Sequence, residues 1–256
     1  MKEYRNVFFD KVRRHEPVVG FSINFPNPTV IEAVTRGWDY VWLDAQHGQM
    51  DYHDLLNCMI ATDAANIGTV IRVPGHNFDT LGPVADLNPS AIMIPMVNNK
   101  AEAEEIASNL HFAPRGHRSY WNTRMIDRVG DDYYLTQDLM VIAQIESAEG
   151  VRNAEEIINT DGIDCLMYGP ADLGISYGIK PGTSRHDSEL MMNATKKVIS
   201  ASYAAGKYCM FIAGDPSDAK ELRELGADII CLGSDNEFLQ TGARNMLTGF
   251  REKVQF

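Results

Sequence analysis

Two carboxylates, Glu146 and Asp172, stand at the ends of separate apolar runs, MVIAQI and DCLMYGP. Acids brought to one place repel one another unless a cation or a proton lies between them. A shared divalent cation is the economical answer. Two carboxylates, with positions left for water and substrate oxygens, make an all-oxygen site suited to Mg2+ or Mn2+ and tolerant of Co2+. Left apart in water, the same residues would be ordinary loop acids.

His47 follows a third run, YVWLDAQ, with Asp44 three residues before it. Alone, such a histidine reads equally well as a hydrogen-bonded structural group. With a carboxylate, an arginine and a metal nearby, its neutral imidazole is placed to act as a base, directly or through water. Arg72 sits in VIRVP among apolar residues, where an unpaired guanidinium is costly to bury, so it needs an anion. That anion is either a structural carboxylate or a substrate oxygen on which charge develops. Gln144 ends the run that Glu146 continues. The Gly169-Pro170-Ala171 turn opens a short helix-like segment whose backbone N–H groups can hold a carboxylate. Imine chemistry needs a lysine among these groups. Lys207 opens its run at the wrong end, and Lys100 and Lys180 lie in loops, which disfavours it.

These residues are far apart in the chain, so the fold must bring them together. Eight short β-branched or apolar runs begin at Val18, Tyr40, Gly68, Ala91, Leu139, Asp164, Lys207 and Asp228, and helical patterns separate them. Repeated βα units in 256 residues fit an α/β fold, a single (β/α)8 TIM barrel over residues 1–256, better than an open doubly wound sheet. A barrel of this kind builds its active site at the C-terminal ends of the strands, where Asp44, Gln46, His47, Arg72, Gln144, Glu146 and Asp172 all fall. One stretch, Phe112 to Gln137, is irregular and rich in Arg, Tyr, Trp and Asp, and reads as a lid or a subunit contact.

Composition narrows the partners. The chain is 45% hydrophobic and 23% charged, enough for one substantial core, and its formal net charge of −12 argues against nucleic acid and anionic membrane surfaces. No apolar run approaches the roughly 20 residues of a membrane span. The charged start, MKEYRNVFFDKVRRHEP, reads as an amphipathic helix rather than a signal peptide. Cys58, Cys165, Cys209 and Cys231 are widely spaced and read as reduced core residues, so a cytoplasmic location is expected. Small-molecule substrates and no organic cofactor are the remaining expectation.

Six segments, LDAQHG (Leu43–Gly48), IRVP (Ile71–Pro74), AIMIPMV (Ala91–Val97), RGHRS (Arg115–Ser119), AQIES (Ala143–Ser147) and YGPADLG (Tyr168–Gly174), resemble in order and spacing the HpcH/HpaI aldolases, class II enzymes of the phosphoenolpyruvate/pyruvate barrel superfamily. The resemblance covers essentially the whole chain. It implies that Glu146 and Asp172 hold a metal that chelates pyruvate, and that Arg72 contacts the oxygen that becomes the enolate. Gln144 and the Gly169–Pro170–Ala171 backbone would seat the pyruvate unit. His47, paired with Asp44 or Asp86, would take the proton of a 4-hydroxyl group, so that a 4-hydroxy-2-oxo acid yields an aldehyde and a metal-bound enolate. The resemblance also implies a homo-oligomer, a hexamer built as a trimer of dimers with the last helix exchanged between subunits. Gln46 stands where many relatives have Glu, Asn88-Pro89 replaces a glycine-containing turn, and Ser119-Tyr120-Trp121 follows RGHR where glycine is common. The changes spare the pyruvate half of the site and leave the aldehyde unnamed. Alternatives within the superfamily are a CoA-thioester lyase, for which the acidic chain offers no basic nucleotide surface, and an oxaloacetate decarboxylase. A barrel that binds a keto acid without turnover is the alternative from another class.

Overall fold

All eight runs become strands. The computed structural model describes residues 6–254 and closes β1 (Val18–Ile23), β2 (Tyr40–Asp44), β3 (Gly68–Arg72), β4 (Ala91–Ile94), β5 (Met140–Ile145), β6 (Cys165–Tyr168), β7 (Tyr208–Ala213) and β8 (Ile229–Ser234) into a parallel barrel in chain order. Strand β8 pairs back onto β1, so no edge is left exposed.

Side chains alternate across each strand, and the alternation divides the core in two. Tyr40, Trp42, Val70, Met93, Met140, Ile142, Met167 and Met210 fill the barrel interior. Val41, Leu43, Ile71, Ile92, Val141, Ala143 and Ile145 face outward and pack with the surrounding helices in a second, larger cluster. Continuing the inward files by two residues places Asp44 after Trp42, Arg72 after Val70, and Gln144 after Ile142, all at the C-terminal mouth. In the β2–β3 register Asp44 is the Cα partner of Arg72.

Helices follow the strands with sequence-encoded starts. Asp51 caps the helix Tyr52–Ala65 in a capping box with Asp54, Asn99 caps Lys100–Leu110, and Ser188 caps Glu189–Ala204. The segment MKEYRNVFFDKVRRHEP contains the helix Val7–Arg13 as expected, and its first five residues lie outside those described. Phe8, Phe9 and Val12 of that helix join the interior cluster, with Phe8 edge-on to Tyr40 at 5.2 Å, and so close the N-terminal end of the barrel.

The Phe112–Gln137 stretch holds two short helices, Thr123–Arg128 and Tyr133–Thr136. Arg115 pairs with Asp161 ahead of β6, Arg118 with Asp86 at the end of the helix Phe78–Asp86, and Arg124 and Arg128 with Asp63 near the end of Tyr52–Ala65. These anchors lie at helix C-termini and ahead of strands, away from the strand ends that carry Asp44 and Glu146. None of the segment's residues lines the cavity at that mouth within the chain. The last helix, Asp235–Lys253, leaves Leu239, Met246, Leu247 and Phe250 exposed. Among the described residues no helix is long and apolar enough to cross a membrane. The four cysteines are buried and unpaired. Burial pushes the Cys58 thiol up to about 11 and those of Cys209 and Cys231 up to about 12, so none is a ready nucleophile.

Candidate active site

A cavity of about 530 Å3 opens at the C-terminal mouth and gathers residues from six strands and the segments that follow strands, among them Asp44, His47, Arg72, Gln144, Glu146 and Asp172. Gly169, Pro170 and Ala171 form part of its wall. Of the residues expected at the site, Asp86 and Gln46 do not line this cavity and the others do.

Arg72 is held from two directions. Its Nε donates to Asp44 Oδ1 at 2.9 Å and its Nη2 to Asp44 Oδ2 at 2.5 Å, a bidentate pair in which both side chains are almost completely buried. Beneath it the Trp42 indole faces the guanidinium carbon, 4.7 Å from the ring centroid. Burial pushes the Asp44 carboxyl up, but the hydrogen bonds and charge of Arg72 and the backbone N–H groups of His47 and Gln46 outweigh it, leaving Asp44 below the ordinary carboxylate value. Asp44 is thus a carboxylate committed to aiming Arg72. Asp44 takes the Nε N–H and one N–H of Nη2, so both Nη1 hydrogens and the second Nη2 hydrogen remain for another oxygen.

Glu146 has the opposite environment. It is 3% exposed, and burial pushes its carboxyl from the ordinary 4.5 up to about 7; the Met96 N–H, 2.9 Å from Oε1, opposes the rise, and nearby Asp172 adds to it. Its Oε2 lies over Gly169, where a Cβ would come within 2.7 Å of that oxygen. Only glycine lets the carboxylate rest there. Gln144 Oε1 is buried without a hydrogen-bond partner at the same wall. A desolvated carboxylate beside a second carboxylate, with an orphaned amide oxygen close by, is a donor set that asks for a hard cation. Glu146 and Asp172 therefore fit a divalent ion such as Mg2+ or Mn2+, with further positions for water and substrate oxygens.

The helix Pro170–Ser176 starts at this wall. Pro170 has no N–H and no side chain caps the first turn, which leaves the Ala171 and Asp172 N–H groups beside the cavity. Among the described residues no lysine lines the cavity, in keeping with the exclusion of imine chemistry.

Two expectations are corrected within the chain. The His47 imidazole is not paired with Asp44, because Arg72 takes that carboxylate and His47 reaches it only through its backbone N–H at 3.2 Å. Nor is it paired with Asp86, which closes the helix Phe78–Asp86 and accepts from Arg118 Nη2 at 2.7 Å. His47 stands exposed at the cavity rim. A second set of ligand-type side chains, His186, Asp218 and Glu221, comes together elsewhere. Arg185 already ion-pairs with Asp218 and Glu221, and Asp218 Oδ2 accepts the Gly214 N–H, so both carboxylates of that cluster are engaged within the chain.

Sequence reasoning missed Trp42, Ser22, Asn24 and Glu237, all of which line the cavity. Trp42 lies two residues before Asp44 on the inward file, and Ser22 and Asn24 end the first run. The rule that found Arg72 applies to them equally. The Met96 N–H has no comparable signal.

Residues 20–241 match the family model described as HpcH/HpaI aldolase/citrate lyase. A 4-hydroxy-2-oxovalerate aldolase of Novosphingobium aromaticivorans is 30% identical over 96% of this chain and 95% of its own length. A hydroxypyruvate/pyruvate aldolase of Rhizorhabdus wittichii is 29% identical over 92% of this chain and 94% of its own. Among solved structures, an HpcH/HpaI aldolase/citrate lyase family protein from Burkholderia cenocepacia superposes with a TM-score of 0.88 at 29% identity, covering 96% of this chain and all of that one.

Proposed function

Because this chain belongs to the HpcH/HpaI aldolase/citrate lyase family, we propose that it is a class II aldolase, a carbon–carbon lyase that cleaves or forms a 4-hydroxy-2-oxo acid and yields pyruvate, or a close 2-oxo acid, and an aldehyde. The observation that carries the reading is the convergence of an Asp44-clamped arginine and a desolvated glutamate on one cavity, lined by no lysine among the described residues.

Glu146 and Asp172 would hold a divalent cation, Mg2+ or Mn2+ with Co2+ tolerated, which supplies Lewis acidity for the negative charge of an enolate. The residues of the chain do the rest. Arg72, fixed by Asp44 and Trp42, presents Nη1 to the oxygen on which that charge develops, and a donor aimed in advance needs no rearrangement during the reaction. The Ala171 and Asp172 N–H groups and the Gln144 amide seat the 2-oxo acid against Gly169. Pro170 pre-sets the helix turn that presents them. His47, at the rim and without a carboxylate partner for its imidazole among the described residues, takes the proton of the 4-hydroxyl as the bond between C3 and C4 breaks, and returns it in the condensation direction.

The exposed apolar residues of the helix Asp235–Lys253 support a homo-oligomer in which that helix packs on a neighbouring subunit, and the hexamer with that helix exchanged is what the family resemblance adds. A cytoplasmic location accords with four unpaired, buried thiols. The proposal is tested by supplying 4-hydroxy-2-oxo acids to protein stripped with chelator and then reloaded with Mg2+, Mn2+ or Co2+, and following pyruvate release. Cleavage that disappears with the metal and returns with it is expected. Undiminished cleavage after stripping would contradict it.

A further inference from the structure

Met96 is a non-glycine residue in the left-handed region, with φ of 55°, directly after the β4 run. Its side chain does not explain this, since it is 45% exposed and absent from the cavity wall. The backbone does. In this conformation the Met96 N–H points across to β5 and donates to Glu146 Oε1 at 2.9 Å, which leaves Oε2 over Gly169. An unfavourable conformation persists only where its surroundings fix it; here the Val97 N–H is held by the Gln144 carbonyl at 3.1 Å, and Asn98 supplies the side-chain tie. Every polar atom of Asn98 is engaged around the turn: Nδ2 donates to the Met96 carbonyl at 2.7 Å, N–H donates to Glu102 Oε2 at 2.8 Å, its carbonyl accepts from Asn153 Nδ2 at 2.8 Å, and Oδ1 accepts from the Ser147 hydroxyl. Ser147 follows Glu146 and caps the next helix by accepting the Gly150 N–H at 2.9 Å. The amide of Asn98 thus ties the turn after β4 to the residue beside Glu146.

We propose that Asn98 is a positioning residue for the metal ligand Glu146, acting by locking Met96 in its left-handed conformation so that the Met96 N–H holds Oε1 and Oε2 is presented to the cation. The inference rests on the reading of Glu146 as a ligand. It concerns the shape of the free site, so it is tested on metal affinity rather than turnover.

Mn2+ binding to the full chain, followed by the electron paramagnetic resonance of free Mn2+, separates the possibilities. Asn98→Ala should weaken Mn2+ binding about tenfold or more, the usual effect of removing a partner that orients a ligand. At Met96 the expected order is the reverse of chemical similarity. Met96→Gly, which tolerates a positive φ, should stay within about twofold of the parent. Met96→Ile, β-branched and strained there, should lose affinity about as far as Asn98→Ala. Equal effects of Met96→Gly and Met96→Ile would overturn the proposal in favour of a side-chain role. Parent-like affinity in Asn98→Ala would overturn it as well. Should Asn98→Ala fail to fold, the Met96 pair decides. Glu146→Gln is the control: if it binds Mn2+ like the parent, the ligand reading itself falls and this inference falls with it. If it loses the metal while the Asn98 and Met96 variants keep it, only the positioning role fails.

Discussion

Glu146→Gln should destroy metal binding and at the same time stabilise the metal-free protein. In the metal-free chain the Glu146 carboxyl is pushed from 4.5 up to about 7, mainly by burial. A folded-state value above the unfolded one means that the folded chain binds the proton more tightly, so the contribution is favourable below about 4.5 and is lost as pH rises through about 7. At pH 8 the folded chain therefore carries a buried charge that costs on the order of 3 kcal/mol relative to the unfolded chain. Glutamine keeps the shape, and its amide oxygen still accepts the Met96 N–H. Urea unfolding of chelated parent and variant at pH 5 and pH 8 reads the effect directly. The variant should exceed the parent by about 2–3 kcal/mol at pH 8, equivalent to roughly 5–10 °C in melting temperature, and by much less at pH 5. Added Mn2+ should reverse the order, since only the parent gains from binding. A variant no more stable than the parent at pH 8 without metal would refute the reasoning that Glu146 is held there for function at the expense of stability.

Other consequences are more local. His47→Gln should lower kcat for aldol cleavage by about 10²–10⁴-fold and leave Mn2+ affinity within the error of the titration, whereas a parallel loss of metal binding would make His47 structural. Gly169→Ala places a Cβ 2.7 Å from Glu146 Oε2, and should weaken Mn2+ binding at least about tenfold by displacing that carboxylate; unchanged affinity in a titration would contradict the packing described. Asp86→Asn leaves the buried Arg118 guanidinium without its carboxylate, and should cost about 2–3 kcal/mol in urea unfolding with kcat nearly unchanged. A drop in kcat without a change in stability would restore Asp86 to the chemistry.

The barrel and most of the cavity wall were legible because both follow from alternation. Tyr40-Trp42-Asp44 and Met140-Ile142-Gln144 are inward files whose last member turns polar, and a polar residue at the end of such a file must face the mouth. Pairing at the mouth was not legible. Asp44 could serve Arg72 or His47 equally in sequence, and the β2–β3 register, which sets Asp44 beside Arg72, decides it. The conformation of Met96 was invisible for a related reason: neither glycine nor asparagine marks it, and the tie that holds it comes from Asn98 and from Ser147, which follows another strand and caps the next helix. In the Phe112–Gln137 stretch the arginines were legible, but their partners Asp63, Asp86 and Asp161 lie on distant helices and turns, so the fold alone directs that segment away from the mouth. Phe8 and Phe9 did carry a signal. Their place under the barrel required knowing that the interior would be apolar down to Tyr40.

Enolate formation is the step on which the whole assignment turns, and it can be measured without knowing the aldehyde. Pyruvate is incubated in heavy water with chelated protein, with protein reloaded with Mg2+, Mn2+ or Co2+, and with metal-loaded Arg72→Ala, and loss of the methyl proton signal is followed by NMR. Exchange that requires both the metal and Arg72 is the expected result. Absence of exchange with every metal, or exchange that survives chelation, would contradict the assignment of Glu146, Asp172 and Arg72 to a pyruvate enolate site.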